Sequence, residues 1–268
     1  PASVTGLLEA GTLVVDQPDA DAWHSVSFEQ AIPDARVVMG PLSYNGPDPS
    51  VVRVRNVTDT GFEVQIEEWL YLDGAHMAET VSWIAGSAGQ HRLATGQSVA
   101  FGRIEAEDDT AETVALDGFD DTPAVFAQIT SHNGGQTVTD RIDAVTQTGF
   151  SVRMREEEAN DQAHFPETLD WMAIDYDTGG GFDARRAEAV DDRGAEVAFD
   201  AVADELVFIA DMQTENGPDT AALRTTHRSA DTARLIVEEE QSADEETWHT
   251  DEAVAYLALA EGSYDLFA

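Results

Sequence analysis

Short runs of alternating apolar and polar residues, separated by turn-forming clusters, fill most of this chain. Val26-Ser27-Phe28, Arg36 to Met39, Val51 to Val57, Phe62 to Glu68 and Glu79 to Ala85 each carry a period of two, which predicts strands. Asn45-Gly46-Pro47 and Thr58-Asp59-Thr60-Gly61 predict turns, with glycine where a positive φ is accessible. Five or six strands within about 90 residues predict an antiparallel sandwich.

The pattern is written more than once. Asn45-Gly46, Val57-Thr58 and Thr60-Gly61-Phe62 recur 88 residues later as Asn133-Gly134, Val145-Thr146 and Thr148-Gly149-Phe150. His76-x-x-Glu79-Thr80-x-x-Trp83-x-Ala85 recurs as His164-x-x-Glu167-Thr168-x-x-Trp171-x-Ala173. A third, divergent copy keeps Asn216-Gly217, Glu239, His249-x-x-Glu252 and Tyr256. An internal repeat of this length predicts three tandem units, at residues 1–90, 91–180 and 187–268. Their boundaries are expected in the glycine-rich segments 86–96 and 177–194, with Arg185-Arg186 as a linker feature. The units can sit in a linear string or in a pseudo-threefold cluster.

Strand phase places particular side chains together. Glu68 continues the row of Phe62, Val64 and Ile66, and Glu79 begins the row of Val81, Trp83 and Ala85. Antiparallel pairing of the two strands brings Glu68 and Glu79 to one end of the core. The second unit repeats this with Glu156 and Glu167, and the third with Glu239 and Glu252. An arginine recurs as Arg53, Arg141 and Arg224. Three chemistries fit two carboxylates, an arginine and a histidine: glycoside hydrolysis by the carboxylate pair, calcium or zinc near Glu68 and Glu79, or a structural network in which the arginine fork bridges the two glutamates. Threefold recurrence favours the structural network, since a catalytic site has little reason to occur three times. The histidines, of opposite parity to the glutamates, are expected to turn outward.

Composition narrows the setting. The 268 residues include 53 acidic and 14 basic side chains, every basic one an arginine, for a net charge of −39. With 42% apolar residues this is a folding chain. Its self-repulsion is relieved in molar salt, where the Debye length is about 3 Å. A halophilic system follows, and the acidic surface excludes nucleic acid and anionic membranes as partners. No cysteine is present, and no stretch is apolar enough to insert in a membrane. No secretory leader is recognised, and none of the common catalytic motifs appears.

From Val51 to Ala85 the chain resembles the H-type lectins. Val26-Ser27-Phe28, Val37-Val38, the run from Arg53 through Thr58-Asp59-Thr60-Gly61-Phe62, and Ser82-Trp83-Ile84 follow that family's order. Val114 to Ala173 follows it more loosely. The resemblance implies six-stranded antiparallel sandwiches that assemble as trimers and bind sugars. Trp69 falls at the family's sugar-contacting tryptophan, but Leu70 replaces the histidine that follows it, and the sugar-binding arginine has no counterpart. Trp69 and Tyr71, with His76 nearby, are the candidate glycan contacts; the alternative is that Trp69 fills an interface between units.

The expectation is an all-β protein of three sandwiches without catalytic activity or an obligate cofactor. It would act in recognition or structure at an exterior surface, as a virion appendage or a surface adhesin. Its partners would be glycans or other protein subunits, in a homo-oligomer or larger assembly. A purely structural subunit and a glycoside hydrolase are the alternatives.

Overall fold

The computed structural model describes residues 3–107, 109–200 and 205–268, and among these all regular structure is β-strand. The first unit contains β1 (Val4–Gln17), β2 (His24–Ser27), β3 (Ala35–Met39), β4 (Leu42–Ser43), β5 (Ser50–Thr58), β6 (Gly61–Glu68) and β7 (His76–Ser87). One layer has the order β1-β7-β3 and the other β2-β6-β5, antiparallel throughout. Between the layers pack Phe62, Val64 and Ile66 of β6 with Val81, Trp83 and Ala85 of β7.

The second unit repeats the arrangement with β8 (Gly89–Arg92), β9 (Ser98–Ala106), β10 (Glu112–Ala115), β11 (Ala124–Ile129), β12 (Val138–Thr146), β13 (Gly149–Glu156) and β14 (Glu167–Ile174). Its layers are β9-β14-β11 and β10-β13-β12. The third unit contains β15 (Asp177–Gly179), β16 (Phe182–Val190), β17 (Ala195–Ala198), β18 (Leu206–Met212), β19 (Ala221–Arg228), β20 (Thr232–Glu239) and β21 (Glu252–Ala260). Its layers are β16-β21-β18 and β17-β20-β19. The segments expected as linkers are therefore strands. Arg185 and Arg186 lie on β16 and pair locally with Asp183 and Glu188.

The units form a closed ring. A short strand follows the last long strand of one unit and pairs with the first long strand of the next: β8, after β7, with β9, and β15, after β14, with β16. The final strand, β22 (Gly262–Phe267), completes the cycle by pairing antiparallel with β1, from Ala10↔Gly262 to Val4↔Phe267. The two ends of the chain thus share one ladder.

A fourth core fills the centre. Ile84, Met172 and Leu257, at equivalent positions of β7, β14 and β21, point away from their own sandwiches and are fully buried with Val38, Phe126 and Ile209. Each such side chain contributes about 1.5–3 kcal/mol of transfer free energy, and the resulting burial of both sheet faces explains the unbroken apolar run Ala253 to Leu259. Where β3, β11 and β18 meet around the axis, side chains of a neighbouring unit cap their free amides. The Val37 amide donates to Asp170 Oδ2 (3.0 Å), that of Ala127 to Asp211 Oδ2 (2.9 Å) and that of Phe208 to Ser82 Oγ (3.2 Å). Such capping removes the exposed sheet edges that invite aggregation.

Candidate functional site at the unit junctions

The repeated polar residues assemble at the three junctions, and each node draws on two units. The carboxylate of Glu79, at the start of β7, accepts from the Ser43 hydroxyl, the Asn45 and Gly46 amides, His76 Nε2 (3.2 Å) and Arg224 Nη2 of the third unit (3.0 Å). Glu167 accepts from Ser131, Asn133, Gly134, His164 and Arg53 of the first unit (3.3 Å). Glu252 accepts from Thr214, Asn216, Gly217, His249 and Arg141 of the second unit (2.8 Å). Arginine therefore runs from unit one to two, two to three and three to one.

Three expectations are corrected here. Within a unit the glutamates are bridged by histidine, not arginine: His76 Nδ1 meets Glu68 at 2.9 Å, His164 meets Glu156 at 2.9 Å, and His249 meets Glu239 at 2.7 Å. The histidines are accordingly buried, because the chain curls at the strand start and lets positions three apart reach one carboxylate. The Asn-Gly glycines also have a different role from the one expected. Gly46, Gly134 and Gly217 are absent from the positive-φ positions; a Cβ there would stand 2.3–2.7 Å from the histidine ring. Glycine is required by close approach, not by backbone conformation. The Ser43-x-Asn45-Gly46, Ser131-x-Asn133-Gly134 and Thr214-x-Asn216-Gly217 spacing carried the hydroxyl's role, which the sequence reading passed over.

The electrostatics follow from this crowding. Burial pushes each imidazole down, but hydrogen bonds to Glu79 and Glu68, to Glu167 and Glu156, and to Glu252 and Glu239 outweigh it, so all three are raised. Burial pushes the acceptor glutamates up, yet their donors win: Glu79 and Glu252 are lowered and Glu167 falls to about 2. An imidazolium between two carboxylates is the consistent state. These oxygens are surrounded by N–H and O–H donors, the reverse of what a cation requires. Among the described residues no group of three or more acidic or histidine side chains is arranged to hold a metal ion.

Beside these common bonds the junctions differ. Glu67 lies 3.3 Å from Arg53 Nε and takes His132 of the second unit at 3.2 Å. Glu238 accepts from Arg224 Nη1 at 2.7 Å and lies beside the Tyr44 hydroxyl of the first unit. The second unit places Arg155 there, paired with Glu215 of the third unit at 3.3 Å, and Arg141 Nε and Nη1 are left without hydrogen bonds.

Trp69 is 2% exposed and forms part of the wall of a cleft of about 300 Å³ between units one and two, with Asp21, Gln65, His132 and Thr137. It offers no open aromatic platform. The positions matching Trp69 are Glu157 and Glu240, and these bind across the axis: Leu70 N donates to Glu157, and Glu158 N donates to Glu240 at 2.6 Å. In the third contact Gln241 N donates to the Tyr71 hydroxyl at 2.9 Å, since tryptophan supplies no acceptor. Tyr71 is thus an inter-unit contact whose ring stays partly exposed, and His76 belongs to the buried node. Smaller in volume, a matching cleft of about 230 Å³ between units three and one is walled by Tyr44, Asp192, Glu238 and Gln241.

No family model matches the chain, and no solved structure does. Over 244 residues, 87% of its length, the chain is 29% identical to Halomucin of Haloquadratum walsbyi (strain DSM 16790 / HBSQ001), and it spans 3% of that protein.

Proposed function

We propose that the chain is a non-catalytic module of an exterior surface protein in a salt-adapted organism, built as a trimer-like ring on one polypeptide for glycan recognition. The observation that carries this reading is the use of one glutamate of each repeated pair, Glu79, Glu167 and Glu252, as an inter-unit fastener. A carboxylate saturated by five donors is not free to serve as nucleophile or general base. The similarity to Halomucin, the net charge of −39 and the absence of lysine support a saline exterior setting, and a relative from a cellular organism favours a cell surface over a virion. Three six-stranded sandwiches around an axis also fit the assembly implied by the H-type lectin resemblance.

The cleft beside Trp69 is the proposed glycan site. Gln65 Oε1 is buried there without a hydrogen-bond partner, and Asp21 is exposed at its edge. A sugar hydroxyl would satisfy both. A glycan array in multimolar salt, with and without chelator, tests this. Binding should vanish in Asp21→Ala and Gln65→Ala, which spare the buried Trp69. Absence of binding by folded protein would favour a purely structural subunit.

A further inference from the structure

A second cleft, between units three and one, has the opposite character. It encloses about 340 Å³ and is lined by Tyr44, Asn45, Thr80, Thr226, His227 and Arg228, among others. None of its lining residues is acidic, in a chain where 53 of 268 residues are. Among the described residues Arg228 forms no ion pair; its one hydrogen bond goes from Nη1 to Ser82 Oγ (3.2 Å). Burial holds this guanidinium below the usual arginine range. Among the described residues no side chain or carbonyl engages its other N–H groups.

The internal repeat shows what is missing. Ser82 corresponds to Asp170 of the second unit. Both cap an edge amide of a neighbouring unit, Ser82 that of Phe208 and Asp170 that of Val37. Asp170 also takes a two-pronged arginine contact, Arg103 Nε at 2.6 Å and Nη2 at 3.0 Å. At the junction of units three and one a guanidinium meets only a hydroxyl at that place. An uncompensated, partly desolvated arginine costs stability unless a ligand supplies the anion.

We infer that the Arg228 cleft binds an anionic saccharide unit, a uronate or a sulfate ester, with the ligand's anion engaging the guanidinium fork. The cavity volume suits one sugar residue. A carboxylate or a sulfate presents two oxygens to the arginine fork, the exposed Tyr44 ring offers a face for the sugar's C–H surface, and Asn45, Thr80 and Thr226 offer partners for its hydroxyls. The site is separate from the Trp69 cleft, so either can fail while the other stands.

Calorimetric titration of the full chain in multimolar salt with methyl glucuronide, glucose 6-sulfate and methyl glucoside tests the inference. At least one anionic sugar should bind at least about tenfold tighter than the neutral one, and the two anionic arms distinguish carboxylate from sulfate. Arg228→Gln should abolish the difference while leaving the unliganded protein no less stable. Ser82→Asp, which installs the sister junction's carboxylate, should abolish it too. Equal binding of charged and neutral sugars, no binding of any, or a preference that survives Arg228→Gln in folded protein would overturn the proposal.

Discussion

Arg224 donates to Glu79 across 145 residues of sequence, at 3.0 Å and with both side chains fully buried. It makes the third of three equivalent bonds, so the ring has no free end. Replacing one member strands a buried charge, which costs about 3–5 kcal/mol. Arg141→Met should therefore destabilise strongly in denaturant titration, whereas Arg141→Met with Glu252→Gln should recover a large part of the loss.

Junction identity is set next to these common bonds. The reversed pair Arg155–Glu215 sets the second junction apart from the other two, where Glu67 meets His132 and Glu238 meets Tyr44. Arg155→Glu alone would face Glu215, but Arg155→Glu with Glu215→Tyr rebuilds the third junction's arrangement and supplies Arg141 with its missing acceptor. A double-mutant cycle should give a favourable coupling of about 1–2 kcal/mol.

Stability should peak at mildly acidic pH. The histidines of the nodes are raised above 6.5, so their contribution is complete below that value and is lost as pH rises through the folded pKa. The lowered node glutamates contribute above 4.5 and lose that contribution as pH falls toward their folded values. A second acid-favouring term lies on the axis, where Asp140 and Asp211 share a cavity of about 70 Å³. Burial raises both, Asp140 to about 6 and Asp211 well above its usual range. Their raised values favour the folded state below 3.8 and lose that advantage as pH rises. Asp211→Asn keeps an acceptor for the Ala127 amide and should flatten the decline in melting temperature as pH rises.

Close packing of histidine on glycine gives a sharper test of the nodes. Gly134→Ala places a methyl group 2.3 Å from His164 Cε1 and should cost about 1–3 kcal/mol in thermal or chemical denaturation. Gly135→Ala, one residue on, meets nothing within 4 Å and should be close to neutral.

The sandwiches were legible because period two and turn chemistry are local. The rows Phe62-Val64-Ile66 and Val81-Trp83-Ala85 indicated the inner faces, and Glu68 and Glu79 fell at the end of the core as their phase required. The fourth core was not legible by phase alone, since Ile84 and Leu257 occupy the face that alternation assigns to solvent; unbroken apolar runs such as Ala253 to Leu259 and Leu206 to Ala210 were its trace. Arg53 was correctly grouped with glutamates, but its partner lies in another unit, and no local pattern specifies a neighbour 114 residues away. Histidine burial was missed because parity holds within a strand and fails at the curled start where His76 lies.

Closure of the ring by the two ends of the chain is the claim on which the rest depends, and a cysteine-free protein allows a direct test. Leu7 and Asp265 are cross-strand partners in the ladder between β1 and β22. Leu7→Cys with Asp265→Cys, oxidised at low protein concentration in multimolar salt, should give a monomeric disulfide that migrates faster than the reduced chain on a denaturing gel. Intermolecular ladders, or two thiols that stay free in folded protein, would contradict a closed ring of three units.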